Sequence, residues 1–171
     1  MKQCSVSRLC LLIVTGVILT GCVGYRLGSM LPPDIKTVHV PTFINNTEEP
    51  LLEIAATRAA IQEIQRDGSL KIAPEETADS ILTVRLTRFR LEALEYDRER
   101  RAAADEYRAY LTASMQLVRR GSGDVIAASE NIEGDATFLL TGDLTSAKES
   151  VFPEVSEDLA QRLVSRMVET W

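Results

Sequence analysis

Ser80 to Glu95 reads SILTVRLTRFRLEALE, and Tyr107 to Val118 reads YRAYLTASMQLV. Successive side chains of a strand point to opposite faces. The second stretch alternates cleanly: Tyr107, Ala109, Leu111, Ala113, Met115 and Leu117 fall on one side, and Arg108, Tyr110, Thr112, Ser114 and Gln116 on the other. One side packs and the other meets water. The first stretch carries a fault. Leu82, Val84 and Leu86 share one parity, but Phe89 and Leu91 take the other. A regular strand would turn its apolar face outward halfway along, so the pattern predicts a bulge or sharp twist near Thr87 or Arg88.

The neighbouring segments fill in the fold. Gly121-Ser122-Gly123-Asp124 is a hairpin turn leading into a strand from about Val125 to Glu133. Upstream, Lys36 to Phe43 reads KTVHVPTF, with Val38 and Val40 alternating and Pro41 near the strand's end. Asn45-Asn46-Thr47 breaks the chain, and Pro50 suits the first turn of a helix. Leu51, Ile54, Ala55, Arg58, Ile61 and Ile64 then recur at helical spacing, to about Arg66, with a stop at Gly68. Ser69 to Ala73 is a short strand. After Gly142 the chain reads as helix to Trp171, with Pro153 at its start or at a kink, and with Leu159, Leu163, Val164, Met167, Val168 and Trp171 as an apolar stripe. The order predicts an α+β fold: two helices packed on one face of a four- to five-stranded mixed sheet, the other face polar and available.

The first residues are of a different kind. Lys2 and Arg8 precede the apolar run LCLLIVTGVIL, Leu9 to Leu19, which is too short to span hydrocarbon. It is a signal-peptide core. Leu19-Thr20-Gly21-Cys22 resembles a lipobox, in which the cysteine thiol takes a diacylglyceryl group before cleavage. Residues 1–21 are then a lipoprotein signal peptide, 22–35 a lipidated tether with Gly24, Gly28, Pro32 and Pro33, and 36–171 one domain. An acylated Cys22 would hold the protein on a membrane without a spanning helix. Cys4 and Cys10 leave with the signal, so the mature chain can form no internal disulfide.

Loss of Lys2 and Arg8 takes the net charge from −6 to −8, which argues against nucleic acid as a partner. No glycine-rich phosphate loop, GxSxG, HExxH or CxxC is present. His39 is the single histidine and has no second metal ligand at a useful spacing. The reading is therefore a non-enzyme with no cofactor and no metal. Arg85, Arg88, Arg90, Arg98, Arg100, Arg101, Arg108, Arg119 and Arg120 cluster on and beside the long strand. The planar guanidinium fork suits phosphate. Arg85, Arg88 and Arg90 are thus candidates for holding a phosphorylated lipid headgroup. The competing reading is a solvated face balanced by Glu92, Glu95, Asp97, Glu99, Asp105 and Glu106.

Cys22 to Leu27, CVGYRL, followed by Ile35 to Thr47, IKTVHVPTFINNT, resembles the opening of the lipopolysaccharide-assembly lipoprotein family LptE. Ala78-Asp79 before the long strand and Asp158-Leu159-Ala160 in the last helix also resemble it. The resemblance implies an α+β domain on the periplasmic side of the outer membrane, seated as plug and assembly partner in an LptD-like β-barrel and binding lipopolysaccharide. Val23 after the acylated cysteine fits export to the outer membrane. The alternative is another envelope lipoprotein that serves as a secretion or assembly accessory.

Overall fold

The structure, a computed structural model, describes residues 31–96, 104–140 and 143–168. The signal peptide, Cys22, most of the tether and Trp171 lie outside the described residues. Strand β1 is Thr37–His39, β2 Ile44–Asn45, β3 Lys71–Ile72, β4 Ser80–Tyr96, β5 Ala104–Arg119 and β6 Val125–Leu139. Helix α1 is Leu52–Asp67, α2 Leu144–Ser150 and α3 Phe152–Val168. The sheet order is β3-β1-β4-β5-β6, with β2 on the same edge of β4 as β1. β1 and β2 run parallel to β4, whereas β4, β5 and β6 form an antiparallel meander.

The α+β reading holds, with six strands in place of four to five. The extra strand, β2, is short. β2 falls in the stretch that reads as a turn, because Asn45 and Asn46 carry turn chemistry. It pairs Ile44 with Arg85 and Asn45 with Leu86, and the Asn46 N–H donates to the Leu86 carbonyl at 2.9 Å. β6 runs to Leu139, well past Glu133. A bulge opposite Ala113–Met115, with Asn131 at φ 55°, moves the buried set from Ala127 to Ile132 and Gly134 and breaks the alternation. The fault in β4 is a bulge as well: the register with β5 slips between Leu86 and Arg88, at Thr87.

α2 and α3 form one bent helix. Pro153 has no N–H to continue the ladder from α2 and sits in the first turn of α3. Asp143 caps α2, its carboxylate accepting from the Ser146 N–H at 3.0 Å. The apolar stripe of α3 is buried at Leu159, Leu163, Val164 and Met167. Each such side chain contributes roughly 1.5–3 kcal/mol on burial. α1 turns inward a side that shares Ile64, and in part Ala55 and Ile61, with the one its periodicity suggests, but not Leu51 or Ile54. Leu52, Ala56, Ala59, Ala60 and Ile64 are buried, while Leu51 and Ile54 are exposed. Small alanines make up most of the buried side of α1, which packs against α3. Pro50 precedes the helix, and Leu51 at its N-cap takes a left-handed φ of 67°.

Candidate functional site

The helices cover one face of the meander and leave the other open. On β4 the covered side holds Leu82, Val84 and Leu86 below the bulge and half-buried Phe89 and Leu91 above it. The Thr87 bulge therefore keeps one apolar face along the whole strand. It has a second consequence for the opposite face. Arg85 and Arg88 differ in parity and would point to opposite sides of a regular strand, but the extra residue brings Arg85, Arg88 and Arg90 onto the same open face.

The register sets what lies beside them. Arg85 is opposite Ser114, Arg88 opposite Thr112 and Arg90 opposite Tyr110, and Thr112 and Tyr110 are in turn opposite Glu133 and Asp135. The rows thus run from cation on β4 through hydroxyl on β5 to carboxylate on β6. With strands about 4.8 Å apart, the β6 backbone lies about 10 Å from that of β4, and among the described residues no ion pair joins Glu133 or Asp135 to Arg85, Arg88 or Arg90. Arg90 bonds Glu92 at 3.0 Å and lies 3.9 Å over the Tyr110 ring. Arg85 and Arg88 have no ion-pair or hydrogen-bond partner among the described residues. Arg85 also borders an open hollow of about 500 Å³ with Thr83, Thr87, Ser114 and Glu130. Arg98, Arg100 and Arg101 lie outside the described residues.

The other cations have structural partners. Arg108 bonds Thr137 at 3.3 Å and lies 3.8 Å from Asp135. Arg119 pairs with Asp34, and Arg120 Nε donates to the Ala78 carbonyl at 2.6 Å. These last contacts belong to a clamp where the tether enters the domain. The Asp79 carboxylate accepts from the Thr37 hydroxyl at 2.8 Å and from the N–H groups of Lys36 and Thr37 at 3.0 and 2.9 Å. The Thr37 hydroxyl bond, followed by that from the Lys36 N–H, holds the Asp79 carboxyl below the usual carboxylate range. The Arg119 side chain does the same to Asp34. His39 is half-buried, with Nδ1 3.4 Å from the Ala73 carbonyl oxygen. Among the described residues no group of His, Cys, Asp and Glu has metal-site geometry, and no helix is long and apolar enough to cross a membrane.

The sequence model of the family LptE, Lipopolysaccharide-assembly, matches residues 35–167. The chain belongs to the LptE family. Two residue groups that carry the resemblance now have physical roles. Asp79 is the hub of the tether clamp. In the last helix, the Asp158 carboxylate accepts the outward-facing N–H of Asp135 at 2.9 Å, and Leu159 lies where a Cβ on Gly134 would come within 2.4 Å of its backbone nitrogen. The sequence reading assigned neither role, since both depend on partners distant in the chain.

No curated relative matches the chain. Solved structures do. A protein from Xanthomonas campestris superposes with a TM-score of 0.56 at 11% identity, covering 82% of this chain and 88% of its own. A lipoprotein from Caulobacter crescentus does so with a TM-score of 0.50 at 9% identity, covering 75% and 88%. The PelC dodecamer from Paraburkholderia phytofirmans is similar at 19% identity and a TM-score of 0.44, covering 77% and 93%. At these identities the first two share the fold with this LptE-family chain.

Proposed function

We propose that this LptE-family chain is an outer-membrane lipoprotein, anchored through acyl chains on Cys22, that plugs and helps to assemble an LptD-like β-barrel and binds lipopolysaccharide on its open sheet face. The observation that carries the lipid reading is the Thr87 bulge. It aligns Arg85, Arg88 and Arg90 on one exposed face, two of them unpaired among the described residues and all opposite hydroxyl-bearing residues. Unpaired guanidinium groups beside hydroxyl donors suit the phosphates of a lipid headgroup, with Arg85 and Arg88 as the main contacts and Arg90 beside them. The plug role is supported by the family and by surface chemistry. A barrel lumen is polar and wet, and the face left open here is charged and hydroxylated.

The test is gentle-detergent purification of the tagged chain, and of an Arg85→Ala/Arg88→Ala variant, from the native outer membrane, followed by mass spectrometry. The parent chain is expected to bring a large β-barrel in near-equal amount, lipopolysaccharide, and an acylated Cys22 peptide. The variant is expected to keep the barrel and lose most of the lipopolysaccharide, with stability within about 0.5 kcal/mol of the parent because the changes are on the surface. A chain that comes off alone would sink the plug reading. Undiminished lipopolysaccharide on the variant would remove these arginines from the lipid site.

A further inference from the structure

The meander has two long edges, and they are treated differently. The β6 edge is guarded: the Asn131 bulge twists it, Asp158 occupies the Asp135 N–H, and Arg162 bonds both carboxylates, at 3.1 Å to Asp135 and 2.8 Å to Asp158. Such devices stop a strand from recruiting another. The β4 edge is covered by β1 and β2 only as far as Leu86, where the Asn46 N–H makes the last contact. From Arg88 to Leu94 no described strand pairs with that edge, and half-buried Phe89 and Leu91 and 41% exposed Leu94 lie along it.

The free segment is Arg88-Phe89-Arg90-Leu91-Glu92-Ala93-Leu94. Its pattern is self-complementary in the antiparallel sense. With Leu91 opposite Leu91 of a second copy, Arg90 faces Glu92 and Glu92 faces Arg90 on the open face. Phe89 faces Ala93 on the covered face. Arg88 comes diagonal to Glu92, within reach of a long side chain, and the register break between Ala93 and Glu95 ends the regular span at that end. Two positions further, Tyr96 of the second copy would meet Leu86, whose carbonyl already accepts from the Asn46 N–H. The paired span is thus bounded at both ends. The two-fold axis of such a pair stands perpendicular to the sheet, so both helix layers lie on the same side of one continuous sheet.

We infer that two copies of this chain associate through Arg88–Leu94 of β4, as an isologous antiparallel pair centred on Leu91. An interface of this kind uses the same patch twice. Its charge pairs are Arg90 with Glu92, formed between copies in place of the bond each chain now makes within itself. The interface shares Arg88 and Arg90 with the proposed lipid site, so the pair describes the chain free of lipid and outside a barrel.

Sedimentation equilibrium of the full chain in detergent, with oxidative cross-linking of a Leu91→Cys variant, tests it. The parent chain under the same oxidant supplies the background from its own cysteines. A dimer is expected, with Leu91→Cys cross-linking to itself well above background because directly opposite residues lie within disulfide reach. Arg90→Glu or Glu92→Arg alone places like charges opposite twice per dimer and should weaken association about tenfold, and the double reversal should restore it. Arg90 and Glu92 are exposed, so the charge variants are expected to keep the fold. A parent chain that stays monomeric overturns the inference, as does a dimer indifferent to both single reversals or lacking the Leu91→Cys cross-link.

Discussion

The two faces of the same three strands answer to different physics. The covered face holds Leu82, Leu86, Leu111, Ala113 and Leu117 at 0% exposure, and its residues are fixed by volume and apolarity. The open face carries Arg85, Arg88, Tyr110, Thr112, Glu133 and Asp135, which stay solvated and are set by charge and register. The difference teaches that one local feature, the extra residue at Thr87, serves both. It keeps the apolar side continuous and, by the same parity shift, gathers the arginines.

The largest effect should come from the covered face. Leu111→Ala sits on the central strand between Phe89 and Gly134 and is expected to cost about 2–5 kcal/mol, read from the midpoint of denaturant unfolding. A loss well under about 1 kcal/mol would mean that the layer over the upper sheet is loose. Deletion of Thr87 probes the joint between the faces. Removing the extra residue leaves Leu86 and Phe89 inward and Arg85, Arg88 and Arg90 outward. The expected loss is therefore only about 1 kcal/mol, chiefly the bond from Thr87 Oγ1 to the Thr112 carbonyl at 3.1 Å. Lipopolysaccharide retention should survive. An unfolded deletion variant would show that the twist of the bulge, and not parity alone, is required.

The smallest effect lies at the tether clamp and is confined to acid. The Asp79 carboxyl is held below its ordinary value, so its contribution is present above the unfolded-state pKa and is lost as pH falls through the lower folded-state value. Asp79→Asn should lower stability at neutral pH and flatten the fall in stability in the acid range below pH 3.8, as followed by unfolding curves at stepped pH. An acid limb of unchanged slope would assign the pH dependence to Asp34 or Asp143, whose carboxyls are lowered as well.

Much of this was legible because it depends on neighbours in sequence. The parity fault between Leu86 and Phe89 locates the β4 bulge, the clean alternation of Tyr107 to Leu117 gives β5, and Pro153 marks the bend of the last helix. The matching fault in β6 was equally present, between Ala127 and Ile132, yet the strand read as ending at Glu133. Asn131 and Gly134 look like strand breakers, and only the positive φ at Asn131 and the close approach of Leu159 to Gly134 explain them as parts of a strand. Arg85, Arg88 and Arg90 were legible as a cluster from charge alone. That they share a face follows from the bulge, and that Arg90 has a partner while Arg85 and Arg88 have none among the described residues follows from the positions of Glu92 and Tyr110.

The sequence by itself determined where the three long strands lie, the two helical segments, the polarity of the two sheet faces and the family, because periodicity and short motifs are properties of consecutive residues. The tertiary structure alone decided which side of α1 turns inward. Leu51 and Ile54 extend the apolar stripe but stay exposed, while Ala56, Ala59 and Ala60 are buried in a helix that packs against α3, and the gain belongs to that packing and not to α1 alone. It also decided which sheet edge is closed. Asp158 must cross from α3 to reach the Asp135 N–H, and Asn46 must fold back to reach the Leu86 carbonyl. Hydrogen bonds between residues so far apart in the chain leave no period in it.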